Sequence, residues 1–566
     1  MRIKEKIKKL VESQLPEISG AEISSTENPT LGHYSTNVAM RLAKEQGKNP
    51  QEVGRELVAS LEIAAPKGFF SKIEVAGPGF VNFYLSPKTL QAELKNIYKE
   101  KNKYGKLSSG KGKKVIVEYS QPNIAKKMHV GHLRSTIIGD ALANILEECG
   151  YKVIRWNYLG DWGTQFGKLI YAYKTWGNKS AVKKNPIEEL LRLYVYFHDR
   201  VKTDALLDDK GREEFNKLER GDKENRALWK WFREESLKEF KKVYKLLGID
   251  FDVWVGESAY EQQMAPIISE MKKKGIATLS EGALVVDLAE QGLPVALVAK
   301  SDGASLYLTR DLASVRDRNK KYKPEQIIYV VANEQTLHFE QMFAVAKKMG
   351  IDGAELRHAK FGLVLGEDRK KLSTREGRAI QLSELIAKIL VLAEDAITKK
   401  NMNLSAVKRK KIAKAIGIGA LKYNDLKENR NSDIVFDWNR MLDFSGNSAP
   451  YLQYTRARLS RIIKKGGKIS NVDFTMLDKD LELNLIKKLL DFPEEIKKSA
   501  ETLYTNNLAG YLFSLAVLAN KFYETTHILK EENKKKKQAY LALITSISSV
   551  IKKGLGLLGI ESPEEI

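Results

Sequence analysis

Apolar and polar residues change rhythm several times along the chain, and each change marks an element. Asn37–Lys44 repeats apolar positions at helical spacing. Lys72–Val75 and Phe80–Leu85 alternate around Gly77-Pro78-Gly79, the pattern of two strands joined by a turn. The Ser, Gly and Lys of 107–114 read as a linker. Val115–Glu118 is a short apolar run, as expected of a buried strand. A Pro-containing loop follows, then a helix from about Gly131 to Cys149 and a strand at Val153–Asn157. Strand, loop, helix and strand make the unit of a parallel sheet. From about 170 to 280 the chain is helical and strongly charged, most clearly over Glu213–Lys242, and reads as an insertion between two halves of that sheet. Strands are predicted again at Ala283–Asp287 and Ile327–Val331, and helices from about 440 onward. No internal repeat or long low-complexity tract interrupts this order. The pattern predicts an α+β unit over 1–110, a parallel α/β region over 111–440 with a helical insertion at about 170–282, and an all-α region over 441–566.

Composition narrows the picture. At 566 residues the chain exceeds one ordinary domain and fits three or four of about 150 each. A hydrophobic share of 43% can fill sizeable cores. The formal charge of +23, from 95 Lys and Arg against 72 Asp and Glu, favours a polyanionic partner. A solvated Lys-rich surface gives the same count, so charge alone leaves both readings open. The single cysteine, Cys149, excludes an internal disulfide and a thiolate cluster, and its helical setting predicts a buried thiol. The run Lys530–Lys537 is most simply an exposed helix face or loop. Met1–Leu10 is Lys-rich and lacks an apolar core, and no stretch approaches 18 uninterrupted apolar residues. Neither secretion nor a membrane span is expected, which leaves the cytoplasm.

The most informative stretch runs from Glu118 to Thr136 and contains His129-Val130-Gly131-His132. Two histidines this close could ligate a metal, but no third ligand stands at a familiar spacing, and no metal site is assigned. Their position gives a better reading. They open a helix just after a strand, where free N–H groups and positive potential suit a triphosphate. Gly131 allows close approach to the backbone, and imidazole N–H groups can stabilise charge building on phosphate oxygens. Downstream, Lys370-Lys371-Leu372-Ser373-Thr374-Arg375-Glu376-Gly377 is a basic loop. By itself it reads as a solvated turn; paired with the first motif it becomes a candidate phosphate clamp. Tyr307 and Asp311 stand at i and i+4, on one face of a helix turn. An exposed carboxylate at a helix start fits that spacing equally well.

The two loops resemble the signature motifs of class I aminoacyl-tRNA synthetases. Gly160-Asp161-Trp162-Gly163-Thr164-Gln165-Phe166-Gly167 and Gly446-Asn447-Ser448-Ala449-Pro450-Tyr451-Leu452-Gln453-Tyr454 narrow the resemblance to the arginyl-tRNA synthetase family, and it runs through nearly the whole chain, Gly554–Pro563 included. The family pattern Lys-Met-Ser-Lys-Ser is here Lys371-Leu372-Ser373-Thr374-Arg375, without its second lysine. Many arginine enzymes carry a lysine just before the first motif instead, and Lys126 fits that role.

The resemblance implies a Rossmann-type parallel-sheet catalytic domain, an α+β N-terminal domain touching the tRNA elbow, and an all-α anticodon-binding domain. It implies ATP as substrate, Mg²⁺ on the phosphates, tRNA(Arg) and arginine as partners, no membrane, and a monomer. Catalysis would rest on His129, His132, Lys126, Lys371 and Arg375, and ATP binding on His129, Gly131, His132, Lys371 and Ser373. Tyr307 and Asp311 match the positions that hold the substrate's guanidinium, with Glu257 as a second carboxylate. This suits five donors in a fixed fork. Asn123, Gln335 and Glu118 match residues at the α-amino and carboxylate end. His338 is catalytic or structural by this reading. For tRNA the matches are Phe80, Asn82, Tyr451, Arg456 and Arg458, beside Tyr454. Phe80, Tyr451 and Tyr454 fit the interior of their elements as well as they fit stacking on bases.

Other readings predict different sequences. A cysteine-type synthetase would need zinc thiolates, and the large editing enzymes would need a longer chain. A small-molecule nucleotidyl transferase has no use for a basic N-terminal unit or a helical C-terminal region. A non-catalytic RNA-binding paralogue should have lost His129, His132, Lys371 or Tyr307.

Overall fold

A computed structural model describes residues 2–15, 20–26, 28–299, 307–366, 368–369, 380–400, 402 and 404–566. The basic loop with Lys371, Ser373, Thr374 and Arg375 therefore lies outside the described residues.

The N-terminal unit is a four-stranded antiparallel sheet in the order Ser24–Ser25, Tyr34–Thr36, Phe80–Leu85, Phe70–Ala76. Helices Ile3–Gln14, Val38–Gln46 and Pro50–Ala64 accompany it, and Pro87–Glu100 leads out. The turn between its last two strands needs Gly79, which has φ +120° and whose absent Cβ would lie 2.8 Å from Pro50 Cβ.

The middle of the chain carries a five-stranded parallel sheet. Its strands are β1 (Lys114–Glu118), β2 (Lys152–Leu159), β3 (Val253–Gly256), β4 (Gln326–Tyr329) and β5 (Glu355–His358), in the spatial order β5-β4-β1-β2-β3. Val115, Ile116 and Val117 are fully buried, as a central strand covered on both faces requires. From β1 the chain builds outward through β2 and β3, then returns to β1's other side with β4. The order reverses between β1 and β4, and a crevice opens there at the carboxyl ends of the strands.

Two strands depart from the expected pattern. β3 lies inside the stretch read as an insertion, so that stretch contributes a strand to the sheet. Ala283–Val286 is a strand, but it sits in a separate antiparallel sheet between Thr278–Ser280 and Ala296–Ala299.

Helix α1 (Val130–Glu148) follows β1 and is buried on nearly every side. It ends at Cys149, which is 1% exposed. Helix α2 (Lys223–Leu247) ends the charged helical segment. Helix α3 (Tyr307–Tyr322) packs beside the crevice, and α4 (Ala406–Leu426) lies against α1. Arg134 of α1 and Asp425 of α4 form a buried bidentate pair, with Nε 3.1 Å from Oδ2 and Nη2 3.1 Å from Oδ1. Arg134 also donates to the carbonyls of Ser432 and Arg430 at 3.0 and 3.3 Å.

The C-terminal region packs helices Ala449–Gly466, Asp480–Thr502, Asn506–Thr525 and Lys534–Leu557. Among the described residues, Lys534–Leu557 alone is long and apolar enough to cross a membrane. The protein buries 72% of its most apolar window, as it does for a core helix.

Candidate active site

The loop from β1 to α1 lines the switch-point crevice in a strained conformation. Ser120, Gln121 and Ala125 adopt positive φ of 77°, 50° and 60° without being glycine. Neighbouring elements hold them there. Ser120 N–H donates to Ser135 Oγ at 2.8 Å, and that hydroxyl donates to Val330 O at 2.6 Å, so α1 ties β1 to β4. Ser120 Oγ meets Tyr244 Oη of α2 at 2.7 Å, and Ala125 N–H donates to Ser236 Oγ at 2.9 Å. Asn123 bridges to Gly160, where a Cβ would fall 2.0 Å from Asn123 Oδ1. A methyl at Gly160 would push that amide aside.

His129 caps α1 and His132 occupies its first turn. His129 Nδ1 accepts from Gly131 N–H at 3.1 Å, and His132 Nδ1 accepts from His129 N–H at 3.1 Å. A ring nitrogen that accepts carries no proton, so each neutral ring bears its proton on Nε2. The rings lie 4.0 Å apart. Burial, reinforced by His129, pushes the pKa of His132 down to about 3. The helix start thus pairs two neutral donors with its own positive end. Lys126 Nζ lies 5.4 Å from the Tyr194 ring centre, facing the helical segment.

The second loop is fixed at its exit. Val130 N–H donates to Ile380 O at 3.0 Å, Leu382 N–H donates to Met128 O at 2.9 Å, and His129 bridges to Gln381. Chain leaving the basic loop therefore runs directly against the His129–His132 turn.

Across the crevice, α3 begins at Tyr307, which is 66% exposed. Asp311 Oδ2 lies 2.7 Å from His338 Nε2. Glu257, just past β3, pairs through Oε2 with Arg310 Nη1 at 3.3 Å. Burial pushes the Glu257 carboxyl up to about 7; Arg310 opposes this and Asp311 adds to it. The Glu257 backbone is held from behind by Asp161, which accepts from Ser258 N–H at 3.0 Å and from Arg233 Nε at 3.0 Å. Gln335 is exposed in the turn after β4.

Several expected contacts take a different form. Glu118 is buried. It pairs with Arg318 and accepts from Gln121 Nε2 at 2.7 Å. Arg318 is itself buried against the rings of Trp156, Tyr158 and Tyr329, at 4.4, 5.6 and 5.7 Å. Glu118 therefore braces the pocket wall from within. Phe80 is 40% exposed, as a stacking surface must be, but Asn82 is only 3% exposed. Arg456 is also buried; it donates to Ser562 O and to Glu564 Oε1, which makes it an internal tie to the last residues. Tyr451 Oη accepts from Asn520 Nδ2 at 2.9 Å. Arg458 stands differently, between the Tyr454 and Tyr523 rings at 4.9 and 4.7 Å. It borders a cavity of about 790 Å³ that Lys400, Arg461, Lys465 and His527 also line.

No local pattern in the chain marks the buried network behind these residues. Arg318, Arg134 with Asp425, and Ser120 with Tyr244 are pairings across many tens of residues. Ser120, Arg134 and Asp161 lie inside the motif stretches 118–136 and 160–167, but their partners Tyr244, Asp425 and Arg233 do not.

Comparison with known proteins gives the family of each part of the chain. Residues 93–438 match the class I (R) tRNA synthetase catalytic domain, 452–566 the DALR anticodon binding domain, and 1–85 the arginyl tRNA synthetase N terminal domain. Arginine–tRNA ligase 1 of Bacillus cereus is 44% identical over 530 residues, covering 93% of this chain and 92% of that relative. The arginine–tRNA ligase of Lactobacillus johnsonii is 42% identical over 571 residues and covers all of both. The crystal structure of arginyl-tRNA synthetase from Plasmodium falciparum superposes with a TM-score of 0.84 at 28% identity, over 100% of this chain and 99% of that one.

Proposed function

The chain belongs to the arginyl-tRNA synthetase family and is an arginine–tRNA ligase, and on that premise we propose which of its residues carry the reaction. Arginine lies in the crevice between β1 and β4, with its guanidinium toward Asp311 and Glu257 under Tyr307. Asn123 and Gln335 take the α-amino and carboxylate end, and Glu118 shapes that wall through Gln121. ATP lies along the start of α1, over Gly131.

The carboxylate of arginine attacks the α-phosphate in line, and pyrophosphate leaves. No side chain need act as nucleophile; placement and charge stabilisation do the work. His129 and His132 donate Nε2–H bonds to the phosphate oxygens as charge builds, with the helix start behind them. Lys126, Lys371 and Arg375 supply cationic charge and Ser373 a hydroxyl to the phosphates. The terminal ribose hydroxyl of tRNA(Arg) then attacks the adenylate. Magnesium belongs to the proposal as MgATP. Among the described residues no group of three or more His, Cys, Asp or Glu stands ready to hold a metal ion.

For tRNA, Phe80 stacks on a base at the elbow. Arg458, Tyr454 and the cationic cavity beside them take unpaired anticodon bases, since aromatic faces and cations together suit single-stranded RNA. Residues 1–110, 111–440 and 441–566 serve as the elbow, catalytic and anticodon domains. The working form is a cytoplasmic monomer.

One observation carries the proposal: a neutral histidine pair at a helix start and two carboxylates from separate elements border one switch-point crevice. The test is aminoacylation with each of the twenty amino acids, plus pyrophosphate exchange with and without tRNA. Arginine alone should be charged, and Asp311→Ala should raise the KM for arginine far more than that for ATP. Equal effects on both substrates would overturn the assignment of Asp311.

A further inference from the structure

We propose that Arg310 is a positioning residue of the arginine pocket, a resident guanidinium that keeps Glu257 ionised and aimed while the substrate's guanidinium binds beside it. This rests on the reading of Glu257 as a pocket carboxylate.

The argument starts from charge. One bound guanidinium facing Glu257 and Asp311 would leave a partly buried site with one excess negative charge. An uncompensated charge of that kind is disfavoured, and a carboxyl answers by taking up a proton. Arg310 supplies the missing cation. Its side chain is 10% exposed and that of Glu257 16%, so water screens the pair weakly. Its contact uses Glu257 Oε2 through one nitrogen at 3.3 Å, which leaves Oε1 for another donor.

Neighbouring positions on α3 divide the work. Successive helical side chains point about 100° apart, so Arg310 can meet Glu257 while Asp311 faces His338 and the crevice. The Arg310 guanidinium also lies 5.7 Å from the Tyr307 ring, which limits its swing. Glu257 is restrained from two sides. Asp161 fixes the adjoining backbone through Ser258, and a Cβ on Gly256 would fall 2.0 Å from Asp161 Oδ2. Arg310 fixes the carboxylate end. Among the described residues, the charged or titratable groups facing Glu257 are Arg310 and Asp311 from α3, Asp161 from the turn after β2, and Tyr158 from β2. Arg310 is the only cation in that set. Burial already lifts the Glu257 carboxyl to about 7, with Arg310 opposing the rise. Without Arg310 the carboxyl would be largely protonated at neutral pH, and a protonated carboxyl cannot accept a guanidinium fork.

The experiment measures the KM for arginine and kcat in tRNA-dependent pyrophosphate exchange from pH 6 to 8.5. It compares the native enzyme with Arg310→Gln, Arg310→Lys and Glu257→Gln, with thermal melting to confirm folding. In the native enzyme kcat/KM should rise with pH, half-maximal near pH 7, toward a plateau above about 8. Arg310→Gln should raise KM about fivefold or more at pH 7, recover as pH rises, and leave kcat within about threefold. Its rising limb should lie at least one pH unit higher, about 1.4 kcal/mol of lost preference for the ionised form. Arg310→Lys keeps the charge and should keep the limb near its native place; if the Gln variant fails to fold, this variant decides. A Gln variant with native or lower KM, a KM raised equally at every pH, or a Lys variant with a displaced limb would overturn the proposal. Glu257→Gln should raise KM without recovery at high pH. If it leaves KM unchanged, the reading of Glu257 itself fails, whatever Arg310 does.

Discussion

Replacing Asp425 by Asn should destabilise the enzyme strongly and weaken its hold on ATP. The Arg134 and Asp425 side chains are 1% and 3% exposed, so neither charge has water to fall back on. In the native protein both carboxylate oxygens accept from Arg134. The amide removes the charge and turns an N–H₂ group toward one of the guanidinium donors. Breaking one partner of a buried, hydrogen-bonded pair costs about 3–5 kcal/mol, mainly because the surviving charge stays buried. That is a factor of roughly 10² to 10⁴ in the unfolding equilibrium. Urea denaturation followed by tryptophan fluorescence would measure it, as a lower midpoint with an unchanged slope. Glu325→Gln is the control: the Lys113–Glu325 pair is 45% and 43% exposed, and its loss should leave the unfolding midpoint nearly unchanged. Arg134 also holds the carbonyl of Leu363 at 3.4 Å, on the chain that leads toward the basic loop, and that of Ser432, beyond α4, at 3.0 Å. The KM for ATP should therefore rise in the variant under conditions where it remains folded. A loss of stability below about 1 kcal/mol would show that the pair is not the buried anchor described.

Three further outcomes follow from the geometry. Gly160→Ala should raise the KM for arginine while leaving the melting temperature within a few degrees, because the added methyl displaces the exposed Asn123 amide; an unchanged KM would remove Asn123 from the pocket. His33, His132 and His358 have pKa values lowered by burial from 6.5 to about 4, 3 and 4. The unfolded chain binds these protons first as pH falls, so their contribution to stability is complete above about 6.5 and is lost between 6.5 and 4. Unfolding midpoints measured across that window should fall with pH, and less steeply in a His358→Gln variant. Arg458→Ala should raise the KM for tRNA with little effect on pyrophosphate exchange at saturating tRNA, whereas Arg456→Ala should lower the melting temperature; the reverse pattern would exchange their roles.

The elements legible in the sequence were those whose burial leaves a pattern. β1 and β4 are apolar because both faces are covered, and the Ile, Leu and Ala of α1 mark a helix buried nearly all round. β5 reads Glu-Leu-Arg-His because it is an edge strand with half-buried positions, and nothing in that order marks a strand. β3 is four residues long and follows a charged helix whose rhythm conceals it. The site divides in the same way. His129–His132 announced itself through its place after a strand, whereas Asp311 stood out only through the family resemblance, because its spacing from Tyr307 fits an exposed carboxylate as well. Arg310 did not, because a cation that faces inward and one that faces water look alike in a helix. The same ambiguity misplaced Arg456: cations interleaved with aromatics describe an RNA surface and an internal clasp equally well, and Asn82 in its alternating strand gave no sign of which side it faced.

Cys149, sealed at the end of α1, makes this enzyme easy to watch at work. Burial lifts its thiol to about 12, so maleimide dyes should pass it by at neutral pH. Cysteines introduced at exposed Ile63 and Val407 would then be the only reactive handles. A donor and acceptor fluorophore could be attached without first stripping the native chain of sulfur, and the motions that accompany tRNA binding could be followed in single molecules.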